Sequence, residues 1–437
     1  FLLSSYAQEK PSLTIEDYAQ WQSLRSASIS QDGVWAGYQI VLNEGNDSLF
    51  IVNTFTDSVY KEAFGTRLQF TSDSKYATYL IGVSQKESEK MQEKKQTVHY
   101  KLAVLNLESG KKDIYPEVSG VTMPKEGSYL LFNMYKPKDS KAKGSDKVLF
   151  NLDDKSMRTL GNVTSASFNK SGHLLAYITE PANAVGCGVE VIDLQTNAIR
   201  VLASDTTTFS GLTWEKEGRS LAFFHQLKNK DYEEDSYEII AFRNVEKNWN
   251  KEVFKPCQME GFPEMTRVSN ARIQWAEDMS SVFFGIQDRN YSAKKKKEIS
   301  KEEEEAKKEE EGEEEDAGDG DEKKEDKNGK KDTKKEVKKD EKLPGVDVWH
   351  WKDPKIQPRQ KKTYSADKNF SYLCMWDLNA NSFRQIADST NRNARLNGDQ
   401  KTALVSTEEP YEPQFRLTYQ DYYLMDLNTG DKKEIFK

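Results

Sequence analysis

Chemistry in this chain would have to come from few residues. Its 437 positions include four histidines, His99, His173, His225 and His350, and no two lie at the short spacing that lets imidazoles share a metal. His173 follows a turn glycine and His225 closes an apolar run, so both read as ordinary strand or loop positions. Three cysteines, Cys187, Cys257 and Cys374, are too scattered for a disulfide framework or a thiolate zinc site. The sequence contains no G-x-S-x-G elbow, no phosphate-cradling G-x-x-x-x-G-K-[ST] loop and no H-E-x-x-H helix. DAGDGDEKKED from Asp316 has the composition of a calcium loop without its carboxylate spacing or its sixth-position glycine. No catalytic residue, metal ligand or cofactor is therefore expected.

Two acidic pairs, Glu233-Glu234 and Glu408-Glu409, are the remaining candidates. Adjacent carboxylates can hold the ammonium of a peptide's amino end through charge-assisted hydrogen bonds. The same pairs serve equally as solvated loop residues. In VDVWHWKDPKIQPRQKKTY from Val346, Trp349 and Trp351 alternate with His350, which puts both indoles on one face of an extended segment. Pro354 and Pro358 then end any ladder. The indoles suit an aromatic plug between sheets or a peptide-contacting patch, and packing is the simpler use. The substrate-binding residues stay unassigned at this level.

What must position any site is a repeat. One pattern is an apolar residue, a polar turn and an aromatic-rich strand: SISQDGVWAGY at Ser28, FTSDSKYATYL at Phe70, MPKEGSYLLF at Met123, FNKSGHLLAYI at Phe168. It returns as WEKEGRSLAFF at Trp214, WAEDMSSVFFG at Trp275 and LNGDQKTALVS at Leu396. Between these lies a second pattern of strand, short polar turn and strand, as in KLAVLNLESGKKDIY at Lys101 and YYLMDLNTGDKKEIF at Tyr422. Two hairpins per cycle make a four-stranded sheet, which buries its apolar faces only by stacking on its neighbours. The period, roughly 45 residues, is that of a propeller blade. The fold class expected is all-β: a β-propeller of about seven four-stranded blades, complete or part of an eight-bladed one. A set of two or three sandwiches would alternate similarly but without the fixed period. Gly33, Gly172 and Gly218 fall at hairpin tips that call for positive φ. The clearest helix is SLTIEDYAQWQSL, with Thr14 and Asp17 as a capping box and Ile15, Tyr18, Trp21 and Leu24 three apart.

Composition marks one exception to this plan. Residues 292–342 hold 17 Lys and 21 Asp or Glu, too charged to bury a core, so the segment is expected to be solvated, disordered or transiently helical, and dispensable for folding, with a docking tail as its functional alternative. It falls between the two hairpins of the sixth cycle, as the charged stretch 82–100 does in the second. Both should emerge at the same end of the blades. The domain plan is a leader at 1–10, blades one to six (first part) at 11–291, the insertion at 292–342, and the remainder of blade six with blade seven at 343–437. FLLSSYAQ reads as the tail of a signal peptide with cleavage after Ala7, hence a periplasmic or secreted location. The net charge of −8 argues against nucleic acid, and no apolar run is long enough to span a membrane.

EDYAQWQSLRSASISQDGVWAGY from Glu16 and VDVWHWKDPKIQPRQ from Val346 resemble the N-terminal region of bacterial secreted serine peptidases of the prolyl oligopeptidase family, dipeptidyl- and acylaminoacyl-peptidase-like. The S-x-D-G turns are similar too, and the resemblance covers nearly the whole chain apart from the Lys/Glu tract. It implies a propeller of seven or eight blades that filters or orients peptide substrates for a following α/β-hydrolase domain. That domain carries a Ser-Asp-His triad and cleaves short peptides, often after proline or releasing dipeptides. No position here matches a triad residue, so this polypeptide alone is expected to be catalytically inert. The alternative is a stand-alone periplasmic propeller that binds or scaffolds. A reading frame continuing past Lys437 into a G-x-S-x-G motif would separate the first from the second.

Overall fold

The structure is a computed structural model and describes residues 13–14, 17–18, 21–182, 185–245, 248–302, 350, 353, 355–412 and 419–436. They form the blades of a β-propeller. Seven antiparallel blades begin at Gln22, Gly65, Val118, Val163, Phe209, Thr266 and Asn393; six have four strands, and the sixth has five because Thr266–Val268 and Gln274–Trp275 both pair with Ser281–Asp288. Blades 3 and 4 are continuous, because the strand Met157–Phe168 is the outermost strand of one and the innermost of the next. The described residues group into two compact units, one holding blades 1 to 4, most of blade 5 and Ile273–Met279, the other holding the blade 5 connection Leu227–Tyr237, the rest of blade 6 and blade 7.

Period-two alternation explains the packing. In blade 2, Ala77, Tyr79, Ala103 and Leu105 face blade 1 and meet Trp35, Leu49 and Ile51. The intervening Leu80, Leu102 and Val104 face the other way, onto Val118, Leu130, Phe132 and Phe150 of blade 3. Blades 4 and 5 join likewise through Ile178, Val189, Val191, Leu221, Phe223 and Ile240. Each core is thus a layer between sheets, as the repeat required.

A second regularity fixes which loops share an end. The first hairpin of every blade turns through a residue at positive φ: Gly33, Ser74, Gly127, Gly172, Gly218, Met279 and Gln400. The carbonyl of the next residue accepts a hydrogen bond from the tip of the second hairpin, Thr54 to Val34, Leu107 to Lys75, and so on through Leu427 to Lys401. In six of the blades an Asn or Asp just before that donor caps its own turn. Asp193 accepts from the amides of Gln195 and Thr196, and Asp426 from those of Asn428 and Thr429. Both hairpin tips therefore lie at one end of each blade. The connections between second and third strands, with both long insertions, lie at the other.

Some local expectations need correction. Thr14 and Asp17 do make the reciprocal capping bonds, and residues 17–18 are helical, but Gln22–Ile29 is a strand. Leu24 is therefore a strand residue, since cross-strand pairing with Ile40 outweighs its three-residue spacing. The stretch 82–100 carries a helix, Gln85–Glu93, whose Ser84 hydroxyl accepts from the Glu87 amide. Residues 293–302 are helical. The rest of the insertion, residues 1–10, Trp349 and Trp351 lie outside the described residues.

Candidate functional site

Glu233 and Glu234 sit in the connection between the second and third strands of blade 5. Glu233 pairs with Lys296 at 3.1 Å. The Glu234 carboxylate accepts from the Asn290 amide at 3.0 Å and from its Nδ2 at 3.2 Å. Burial pushes this carboxyl up, and the Asn290 donors more than reverse it, leaving it below the usual range. Tyr232 pairs with Tyr291 across an isolated bridge, their rings stacked at 5.1 Å. This acidic pair is spent on fastening the chain where it enters the insertion.

Glu408 and Glu409 have a different setting. They follow the strand Thr402–Thr407 of blade 7 and open a short helical turn, Glu409–Tyr411, started by Pro410. The Tyr411 hydroxyl anchors that turn by donating to buried Asp421 at 2.5 Å. Glu408 accepts from Gln420 Nε2 at 2.6 Å, and Gln420 in turn accepts from the Ser406 hydroxyl. The Glu409 amide donates to Thr407 Oγ1, whereas its carboxylate has no hydrogen bond or ion pair among the described residues.

Both glutamates line a cleft of ≈ 690 Å³ with Asp353, Asp367, Arg392 and Phe370. The helix Gln357–Lys368, begun by Pro358, forms another wall. Its Asp367 takes the two cations, Arg392 at 3.0 Å and Lys355 at 3.8 Å. The Arg392 guanidinium also lies 4.2 Å over the Phe370 ring. Asp353 accepts from the His350 amide and from Gln360 Nε2, which hold its carboxyl below the usual range. With Lys355 and Arg392 committed to Asp367, the cleft keeps an excess of carboxylates on Glu408, Glu409 and Glu412. It suits a cation, and among biological cations an ammonium on a chain with apolar neighbours beside it.

The histidines do not converge. His99 bonds Glu117 and stacks on Tyr135 at 4.1 Å, and His173 contacts Gln195. His225 has richer surroundings than its place at a strand end suggested. Its Nε2 meets Thr207 Oγ1 at 2.8 Å and Asp205 Oδ2 at 3.1 Å, while Nδ1 meets Glu238 Oε2 at 3.3 Å. A hydroxyl, an imidazole and a carboxylate in that order are the parts of an activated nucleophile. Here Asp205 competes for Nε2, and its other oxygen takes the Thr206 and Thr207 amides. The ring is thereby clamped between two carboxylates and ties the blade 4 to blade 5 connection to blade 5. Sequence offered no sign of this, because the carboxylates come from separate strands.

Cys187 and Cys374 are buried thiols outside any disulfide, burial pushing both up, and Cys257 is exposed. Among the described residues no group of three His, Cys, Asp or Glu side chains is placed to hold a metal ion, and no helix is long and apolar enough to cross a membrane.

No family model matches the chain, and no curated protein does. Among solved structures, the chain is similar to the β-propeller domain of the Trilobed protease from Pyrococcus furiosus, at 9% identity and a TM-score of 0.34, covering 95% of this chain and 98% of that one. It is also similar to a eukaryotic initiation factor, at 10% identity and a TM-score of 0.43, covering 94% and 77%. A third is the acylaminoacyl peptidase of Pyrococcus horikoshii, at 9% identity and a TM-score of 0.33. There the match covers 96% of this chain and spans about half of that one, 53%.

Proposed function

We propose that this chain is the propeller part of a secreted serine peptidase of the prolyl oligopeptidase family. In this reading it receives peptides by their amino end and orients them for a C-terminal α/β-hydrolase domain outside these 437 residues. The observation that carries the proposal is the contrast between the two acidic pairs. Glu233-Glu234 is already partnered, Glu233 by Lys296 and Glu234 by Asn290. Glu408-Glu409 lines an acidic cleft with one carboxylate held in place by Gln420 and the other unspent. An ammonium there gains two charge-assisted bonds in a partly enclosed site, each of the strong kind. The resemblance in the segments from Glu16 and Val346 supports the choice of peptides over other amines.

The test is substitution within each pair. Glu409→Gln keeps the shape of the side chain and removes its charge, and is expected to weaken binding of a peptide with a free amino end roughly tenfold or more. Glu233→Gln should leave that affinity unchanged. Equal effects of the two substitutions, or none, would remove the basis for placing the amino end in this cleft.

A further inference from the structure

Blade 6 carries two arginines, neither of which is hydrogen-bonded or ion-paired to a carboxylate among the described residues. Arg267 pairs in register with Gln287 across the strands Thr266–Val268 and Ser281–Asp288. The Arg289 amide continues that ladder by donating to the Met265 carbonyl. Arg289 is thus two residues along from Gln287 on the same face. It is the diagonal neighbour of Arg267, within reach of a long side chain.

The partners of Arg267 are neutral, the Asp235 carbonyl at 3.0 Å and the Gln287 side-chain oxygen at 2.5 Å. The Arg289 guanidinium lies flat on the Tyr232 ring at 3.6 Å, and Tyr232 stacks on Tyr291. It makes no hydrogen bond or ion pair among the described residues. Both side chains are half-buried, with their Nε atoms enclosed and unpartnered. Of the carboxylates that follow Tyr232, Glu233 pairs with Lys296 and Glu234 has both oxygens on Asn290. Burial pushes Arg289 below its ordinary range and the nearby charge of Arg267 adds to this, against the opposing pull of Tyr232, Glu234 and Asp235.

We propose that Arg267 and Arg289, on the Tyr232–Tyr291 platform, form a binding site for a peptide carboxylate. A planar fork stacked on an aromatic ring suits a flat two-oxygen acceptor, which it can engage through two parallel bonds. The choice of a peptide as the bearer of that carboxylate rests on the function proposed above.

The experiment is a calorimetric titration of the full chain with acetyl-Ala-Pro-Ala as the free acid and as its carboxamide. Neither carries an amino group, so the outcome is independent of the Glu408-Glu409 cleft. The wild-type protein is expected to bind the acid roughly 10–100-fold more tightly than the amide. Arg289→Gln should abolish that preference, while Glu409→Gln keeps it. Equal affinity for acid and amide in the wild-type protein would overturn the site without recourse to any variant. So would a preference that survives in Arg289→Gln, or inorganic phosphate displacing the acid at lower concentration than acetate does.

Discussion

Replacing Gly172 by valine is expected to lower the unfolding free energy by about 3–5 kcal/mol, as strain from a left-handed backbone adds to overpacking. Gly172 sits at φ +68°, and a Cβ there would come 1.9 Å from the Glu126 carbonyl oxygen of the neighbouring blade's turn and 3.0 Å from Pro124 Cβ. Neither neighbour can yield without moving a turn. Gly33 occupies the equivalent tip at φ +73°, with nothing within 4 Å of its Cβ position. Gly33→Val should therefore cost only the conformational part, about 1–2 kcal/mol. Urea denaturation of the two variants measures the difference directly. Equal losses would mean that the tips do not pack on one another.

The second large effect belongs to the layer between blades 4 and 5. Phe223 is fully buried there, its ring against Phe209 at 5.9 Å and Phe242 at 6.2 Å. Phe223→Ala leaves a cavity bounded by two sheets that cannot close over it, and is expected to cost about 3–5 kcal/mol. A loss below about 1 kcal/mol in the same denaturation experiment, the scale of a surface change, would contradict an inter-blade core.

Much of the architecture was written in local signals. Seven polar turns, each followed by a strand of alternating apolar residues, give blade number and order, and positive φ at Gly33, Gly172 and Gly218 follows from their hairpin tips. Ser74, Met279 and Gln400 take the same conformation without being glycine, so a search for glycine alone would miss those turns. The helix Gln85–Glu93 had a readable sign in Ser84 and Glu87, a capping box inside a stretch that looked merely charged.

The candidate site was legible only as a pair of adjacent glutamates. Which of two such pairs stays unspent depends on Lys296, Asn290 and Gln420, which reach them from other strands and loops. The same holds for Arg289, whose significance comes from a diagonal neighbour on another strand and a ring in the preceding blade's connection. Pairing across distant segments is what a single sequence does not display.

The central claim is that this chain takes hold of peptides by their amino end and leaves them intact. It is tested most directly by titrating the full chain with Ala-Pro-Ala carboxamide, and with its acetylated form, in a calorimeter, then recovering the peptide for mass spectrometry. Binding of the free-amino form is expected to be at least about tenfold tighter than that of the acetylated form, the scale of a charge-assisted bond, with the peptide recovered whole. Equal affinity for the two forms would contradict the acidic cleft as the amino-end site, and cleaved peptide would contradict the assignment of catalysis to a separate domain.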